Sequence, residues 1–99
     1  MAKPLDVYRL AAKEAADARR WYAAQSAMAA SGFDEELRQA FVRILERPGS
    51  FPEHREGTRR ARLNRYPYAV IYREFDDRIA IIAVAHGKRR PAYWRRRLK

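Results

Sequence analysis

Leu5 and Val7 alternate with Asp6 and Tyr8 near the start of the chain, a period-two pattern that predicts a short strand within LDVYRL, residues 5–10. From Ala11 the period becomes helical. Ala11, Ala15, Ala18 and Tyr22 fall on one face, so residues 11 to about 29 are expected to form an alanine-rich helix that packs closely on a neighbour. Ser31-Gly32 reads as a break, and Ser31 with Asp34 as a capping pair opening a second helix. Leu37, Phe41 and Ile44, flanked by Ala40 and Leu45, mark its apolar stripe, and Pro48-Gly49 ends it near Arg47. Two helices joined this closely form an antiparallel hairpin that hides both stripes.

The second half changes period again. Residues 48–58 have the composition of a loop, and RRARL, residues 59–63, alternates Arg60 and Arg62 with Ala61 and Leu63, a strand with one cationic face. YAVIYREF and RIAIIAVAH pair as a hairpin through a turn at Asp76-Asp77. Every position from Ile79 to Ala85 is apolar, as expected of a central strand covered on both faces. Pro91 is placed to open a short C-terminal helix in PAYWRRRLK. The order predicts an α+β fold: an N-terminal strand, a helical hairpin packed on a small, mostly antiparallel sheet, and a short last helix, all in one domain over residues 1–99.

Composition narrows the chemistry. A chain of 99 residues buries roughly 60–70% of its unfolded surface and leaves little room for a deep enclosed pocket, which argues against a cofactor enzyme. It has no cysteine, so disulfides, zinc fingers and thiol nucleophiles are excluded. No apolar run approaches the roughly 20 residues of a membrane span, and MAKPLDVYRL lacks the apolar stretch of a signal peptide, so a cytoplasmic location without membrane contact is expected. Two histidines without acidic partners at ligand spacing make no metal site.

Charge changes the picture most. A net charge of +10 and a pI near 10.7 create a field that draws nucleic acid, acidic protein or anionic lipid. The cations cluster: Arg59, Arg60, Arg62 and Arg65 around one strand, and Lys88, Arg89, Arg90, Arg95, Arg96, Arg97 and Lys99 after the last one. If the RRARL strand neighbours the last hairpin, the two clusters meet at one end of the sheet. Guanidinium forks grip phosphate or carboxylate, and Tyr93 and Trp94 offer faces for stacking bases. The alternative is a solvated basic surface with the tail's rings docked on the core. His86, ending the central strand beside cations, is either an acid–base group or a hydrogen-bonded structural one.

The segments ADARRWYAAQS, GFDEELRQAF, PGSFPEHREGTRRARLNRYPYAVIY and AVAHGKRRPAYWRRR carry a resemblance over nearly the whole chain. Together they resemble the RelE/ParE superfamily of toxins from bacterial type II toxin–antitoxin systems. The resemblance implies the fold read above and one of two activities. RelE-like members are ribosome-dependent endonucleases that cut messenger RNA without a metal, using clustered cations and a C-terminal tyrosine or histidine. ParE-like members poison DNA gyrase.

On the nuclease reading, Arg89 would match a catalytic arginine, with Tyr93 or His86 handling the proton. Nucleases of this group commonly carry an arginine in a YRLVY pattern, and here that slot is Ala69, with Arg62 or Arg65 only next door; the spacing to the tyrosine in PAYW also departs. The residues lean to the gyrase-directed type. On either reading Arg60, Arg62, Arg65, Lys88, Arg89, Arg90, Tyr93 and Trp94 are the expected target-binding set. A third possibility is a basic nucleic-acid-binding module without toxicity. The resemblance also implies a cognate antitoxin in a hetero-oligomer: an acidic or amphipathic segment docking beside the helical hairpin at Trp21 and covering Arg95 and Arg96. Trp21 as an ordinary core residue is the other reading.

Overall fold

Ile79 to Val84 are all buried, and the strand that holds them, β4 (Ile79–His86), lies inside a four-stranded sheet of order β1-β4-β3-β2. The computed structural model describes residues 3–98. β1 spans Leu5–Val7, β2 Arg59–Arg62 and β3 Tyr68–Glu74. β3 runs antiparallel to both β2 and β4, while β1 pairs parallel to β4 through Leu5 and Ile79. The β3–β4 hairpin closes at Asp76-Asp77, with the Phe75 amide donating to the Arg78 carbonyl at 2.8 Å.

One irregularity in this hairpin aims everything near the site. Ile71 pairs with Ala83 and Tyr72 with Ile81, so Ile82 is an extra residue, a β-bulge on β4. Before the bulge Ile79 and Ile81 face the helices; after it Val84 does. Ala80, Ile82 and Ala83 belong to a second core on the opposite face. The sheet therefore has two covered faces, which explains its unbroken apolar run.

The helices are α1 (Arg9–Gln25) and α2 (Ala27–Glu46). Both boundaries differ from the sequence reading. The first strand stops at Val7 and α1 starts at Arg9, since Tyr8 already accepts from the Ala12 amide at 3.0 Å. The break falls at Ser26, not Ser31-Gly32: Ser26 is extended, and its Oγ accepts from the Ala29 amide at 2.9 Å, a single-residue N-cap. Gly32 lies inside α2 for a packing reason. The Tyr66 hydroxyl donates to the Ala29 carbonyl at 2.8 Å, and a Cβ on Gly32 would collide with that hydroxyl. Around it Tyr22, Phe33, Tyr66 and Tyr68 pack edge-to-face or stacked, with ring centroids 4.9–6.3 Å apart.

The C-terminal segment covers the second face, but not as the helix expected from Pro91. Residues 91–94 form a turn, and a short 3-10 helix follows at Arg95–Leu98; Lys99 lies outside the described residues. Ala92 sits in the left-handed region at φ 56°, which ends any helix begun at Pro91 and turns Trp94 into the second core, where it is 2% exposed.

Glu14 of α1 fastens this segment. Past Tyr8, whose amide donates to the Ile81 carbonyl, β1 no longer reaches the edge of β4. Side chains continue the pairing there: Glu14 Oε1 accepts from the Val84 amide at 3.0 Å, and Arg97 donates to the Ile82 carbonyl at 3.0 Å. Arg97 also grips Glu14 with both Nη atoms at 2.9 Å, and the Tyr93 hydroxyl donates to Oε2 at 2.6 Å.

Two outcomes follow. Ala for Gly inside a helix normally stabilises by about 0.5–1 kcal/mol. Gly32→Ala is expected to destabilise instead, and adding Tyr66→Phe, which removes the colliding oxygen, should recover part of the loss in urea unfolding. Glu14→Gln strands a guanidinium that is only 15% exposed, and should cost about 3 kcal/mol in the same assay. An unchanged midpoint would mean that the segment holds without its clamp.

Candidate functional site

Two concavities meet at the end of β4 where the bulge has turned the chain. One is a groove of about 500 Å³ on the helix side, floored by Ala18, Tyr22, Tyr68 and Val84, with Trp21 on its rim and His86 and Arg89 at its far end. The other is a cleft of about 210 Å³ on the opposite side, bounded by His54, Arg55, Arg60, His86, Arg89 and Arg90. His86, Arg89 and Tyr93 line both.

The walls of the cleft are held in place. The Gly87 amide donates to the Pro67 carbonyl at 2.7 Å and the Arg89 amide to the His86 carbonyl at 3.0 Å, which fixes the turn leaving β4. His86 Nδ1 accepts from the Lys88 amide at 3.0 Å, so in the neutral ring the proton sits on Nε2, a free donor; the ring rests edge-on against Tyr68 at 4.9 Å. The Arg89 guanidinium lies 3.7 Å from the Tyr93 ring centroid, a cation–π contact that orients its fork. His54, across the cleft, packs on Trp94 with centroids 6.0 Å apart. Burial, with Arg60 and Arg55 nearby, lowers its pKa, so His54 is neutral at physiological pH.

The expected target-binding residues divide. Arg60, Arg89 and Arg90 converge on the cleft, and Arg62 joins Arg60 in an adjoining hollow, so the two cation clusters do approach each other at one end of the sheet. Lys88 is exposed on the same turn. Arg65 departs: its Nε bonds Glu36 Oε2 at 3.0 Å, and the Asn64 and Arg65 amides take the same carboxylate at 2.7 and 3.2 Å. Burial alone would raise the Glu36 carboxyl, yet Arg65 and the two amides hold it below its ordinary value. Trp94 is a core residue and offers no face to a base, because the docked segment needed a large apolar anchor. Tyr93 is half-buried with its hydroxyl committed to Glu14. Burial first, and the adjacent carboxylate second, push its phenol far above the usual tyrosine range.

Trp21 is 60% exposed, against its reading as core. Arg95 and Arg96 are exposed on the 3-10 helix, Arg95 paired with Glu56 at 2.9 Å, and neither lines the groove. Sequence reasoning missed His54 and Arg55, which sat in a loop without any periodic signal, and Glu14, hidden as one more polar position on a helix.

Charge pairing leaves a group of open cations gathered at the cleft and the hollow beside it. Asp17, Asp34, Glu35, Glu36 and Glu56 neutralise cations elsewhere on the surface. Arg55, Arg60, Arg62, Arg89 and Arg90 have no ion pair among the described residues, and no carboxylate lines the cleft. These guanidiniums are left available for an anion supplied from outside.

No helix among the described residues is long and apolar enough to cross a membrane. No curated protein matches the chain. Among solved structures, one from the chromosomal ParDE toxin–antitoxin system of P. aeruginosa superposes with a TM-score of 0.72. It covers 86% of this chain and 96% of its own at 18% identity, which establishes a shared fold. The family model described as the ParE toxin of the parDE type II toxin–antitoxin system matches residues 5–91, from β1 through both cation-bearing segments that frame the cleft. With the sheet, the helical hairpin and that match in agreement, the chain belongs to the ParE toxin family and is the toxin component of a type II toxin–antitoxin system, whose partner is a cognate antitoxin.

Proposed function

We propose that this toxin arrests growth in the cytoplasm by poisoning DNA gyrase, and that it does so as a binding protein, without cutting RNA. The observation that carries this reading is the state of Tyr93. A nuclease tyrosine must exchange a proton with a ribose hydroxyl or leaving group. Here the half-buried hydroxyl is already spent on Glu14, and burial together with that carboxylate opposes its ionisation. The β3 position across from Arg62 is Ala69, whose methyl supplies nothing to a phosphorane transition state. What remains at the end of the sheet is a set of oriented guanidiniums, which bind anions.

The antitoxin, on this proposal, lays an amphipathic segment in the helix-side groove. Its apolar side chains meet Ala18, Tyr22, Tyr68 and the exposed ring of Trp21, and its carboxylates meet Arg89 at the far end. The +10 charge speeds encounter with such an acidic partner. A tail deletion cannot test the contribution of Arg95 and Arg96, because removing residues 91–99 takes Trp94 and Arg97 out of the fold. Neutral substitution at Arg95 and Arg96, both exposed and outside the Glu14 clamp, is the variant that tests it.

Inducing the toxin alone should trigger an SOS response, and purified toxin should block supercoiling by gyrase while translated messages stay whole. Codon-positioned message cuts lost in Arg89→Ala would reverse the assignment. Trp21→Ala should weaken antitoxin binding by about thirtyfold, the scale of an aromatic hot spot, without lowering the thermal midpoint. Affinity within twofold of wild type, measured by calorimetry, would move the interface off this groove.

A further inference from the structure

The unpaired cations continue beyond the cleft. A second hollow of about 380 Å³ adjoins it, sharing Arg60, Ala69, Ala85 and Gly87 as a common wall and adding Arg62. Arg90, Arg89, Arg60 and Arg62 thus form a track across the end of the sheet, supplied by β2 and the turn after β4. A single small anion needs one fork; a track of several forks over two joined hollows suits a polymer with repeating negative charge. Three features define the chemistry. The cations are guanidiniums, whose planar forks match phosphate oxygens. His86 presents Nε2 as a hydrogen-bond donor, and His54, neutral across the cleft, can donate another without adding to the repulsion among the arginines. The larger rings lining the hollows are already engaged: Trp94 is buried, Tyr93 is capped by Arg89, and the half-buried Tyr66 and Tyr68 pack edge-on against Tyr22 and Phe33.

From this arrangement we infer that the cleft and its extension form a phosphodiester site that grips the backbone of duplex DNA without reading sequence. The inference deepens the gyrase reading, since it makes the toxin a ligand of the DNA held on the enzyme as well as of the enzyme itself. A backbone site of this kind releases counterions on binding, and its affinity falls steeply with salt.

Fluorescence anisotropy of the full-length toxin with a duplex of about 20 base pairs, across a salt series, tests it. Arg60→Ala and Arg89→Ala should each weaken binding by about tenfold and reduce the slope of log affinity against log salt by about one. Arg89→Lys should keep the slope and lose part of the affinity. Arg38→Ala makes the same change in net charge on an exposed face of α2 and should shift affinity less than twofold. The site fails if Arg38→Ala weakens binding as much as the cleft variants, if wild type does not bind, or if the same arginines hold an RNA duplex more tightly than DNA.

A gyrase cleavage assay run in parallel separates this inference from the reading beneath it. Cleft-dependent DNA binding without any effect on gyrase would sink the gyrase reading and keep the site. Gyrase poisoning undiminished in Arg60→Ala and Arg89→Ala would keep the reading and remove the site from it.

Discussion

The carboxylate of Glu14 is the point through which the sequence-distant parts of this small protein are tied. It stands on α1, yet it accepts from the amide of Val84 where β1 has run out, and it holds Arg97 and Tyr93 from the last dozen residues. A backbone amide at a sheet edge, a guanidinium and a phenol would each be costly to bury unpaired. One group answers all three. The segment fixed in this way carries Trp94 onto the second face of the sheet, and Arg89, stacked on Tyr93, is oriented as a consequence. The clamp therefore sets both the second core and one wall of the candidate site, which are 70 to 83 positions from Glu14 in the chain.

The same economy of acidic groups shapes the surface. Apart from Glu14, carboxylates on the two helices pair locally or against nearby loops, as Glu35 with Arg38 and Glu36 with Arg65. None lines the cleft beside the end of β4. Clustered cations without counter-charges raise the energy of the folded state through mutual repulsion. A surface that keeps such repulsion is poised to gain from an external polyanion, whether acidic protein or phosphate backbone.

Much of the fold was legible because it rests on periodicity. The unbroken run from Ile79 to Ala85 required a strand covered twice, and the hairpin turn at Asp76-Asp77 followed from the flanking patterns. The errors have a common cause. Ser31-Gly32 looked like a helix break because glycine is a poor helix former, but the glycine answers to Tyr66, more than thirty residues away, while the true break needed only the Oγ of Ser26. Pro91 looked like a helix start, and the left-handed turn at Ala92, set by docking of the segment, overrode it. The convergence of Arg60, Arg62, Arg89 and Arg90 at one end of the sheet was legible from charge clustering. Arg65 and Trp94 fall outside that cluster, because proximity in sequence says nothing about which side chain a local carboxylate or an apolar face will claim.

The bulge at Ile82 finally explains how binding on one side of the sheet can bear on the other. Without it the alternation along β4 would continue, and Val84 and His86 would exchange faces with Ala83 and Ala85. With it, His86 and the turn to Arg89 stand at the boundary between the apolar groove and the cationic cleft and belong to both. An acidic segment lying against Trp21 and a phosphate lying beside Arg60 would then compete for the same guanidinium. Such competition needs no conformational change and no signal through the core. Neutralisation would follow from direct contest over one side chain, and its strength would depend on how well the partner's carboxylates outbid solvent and phosphate at Arg89.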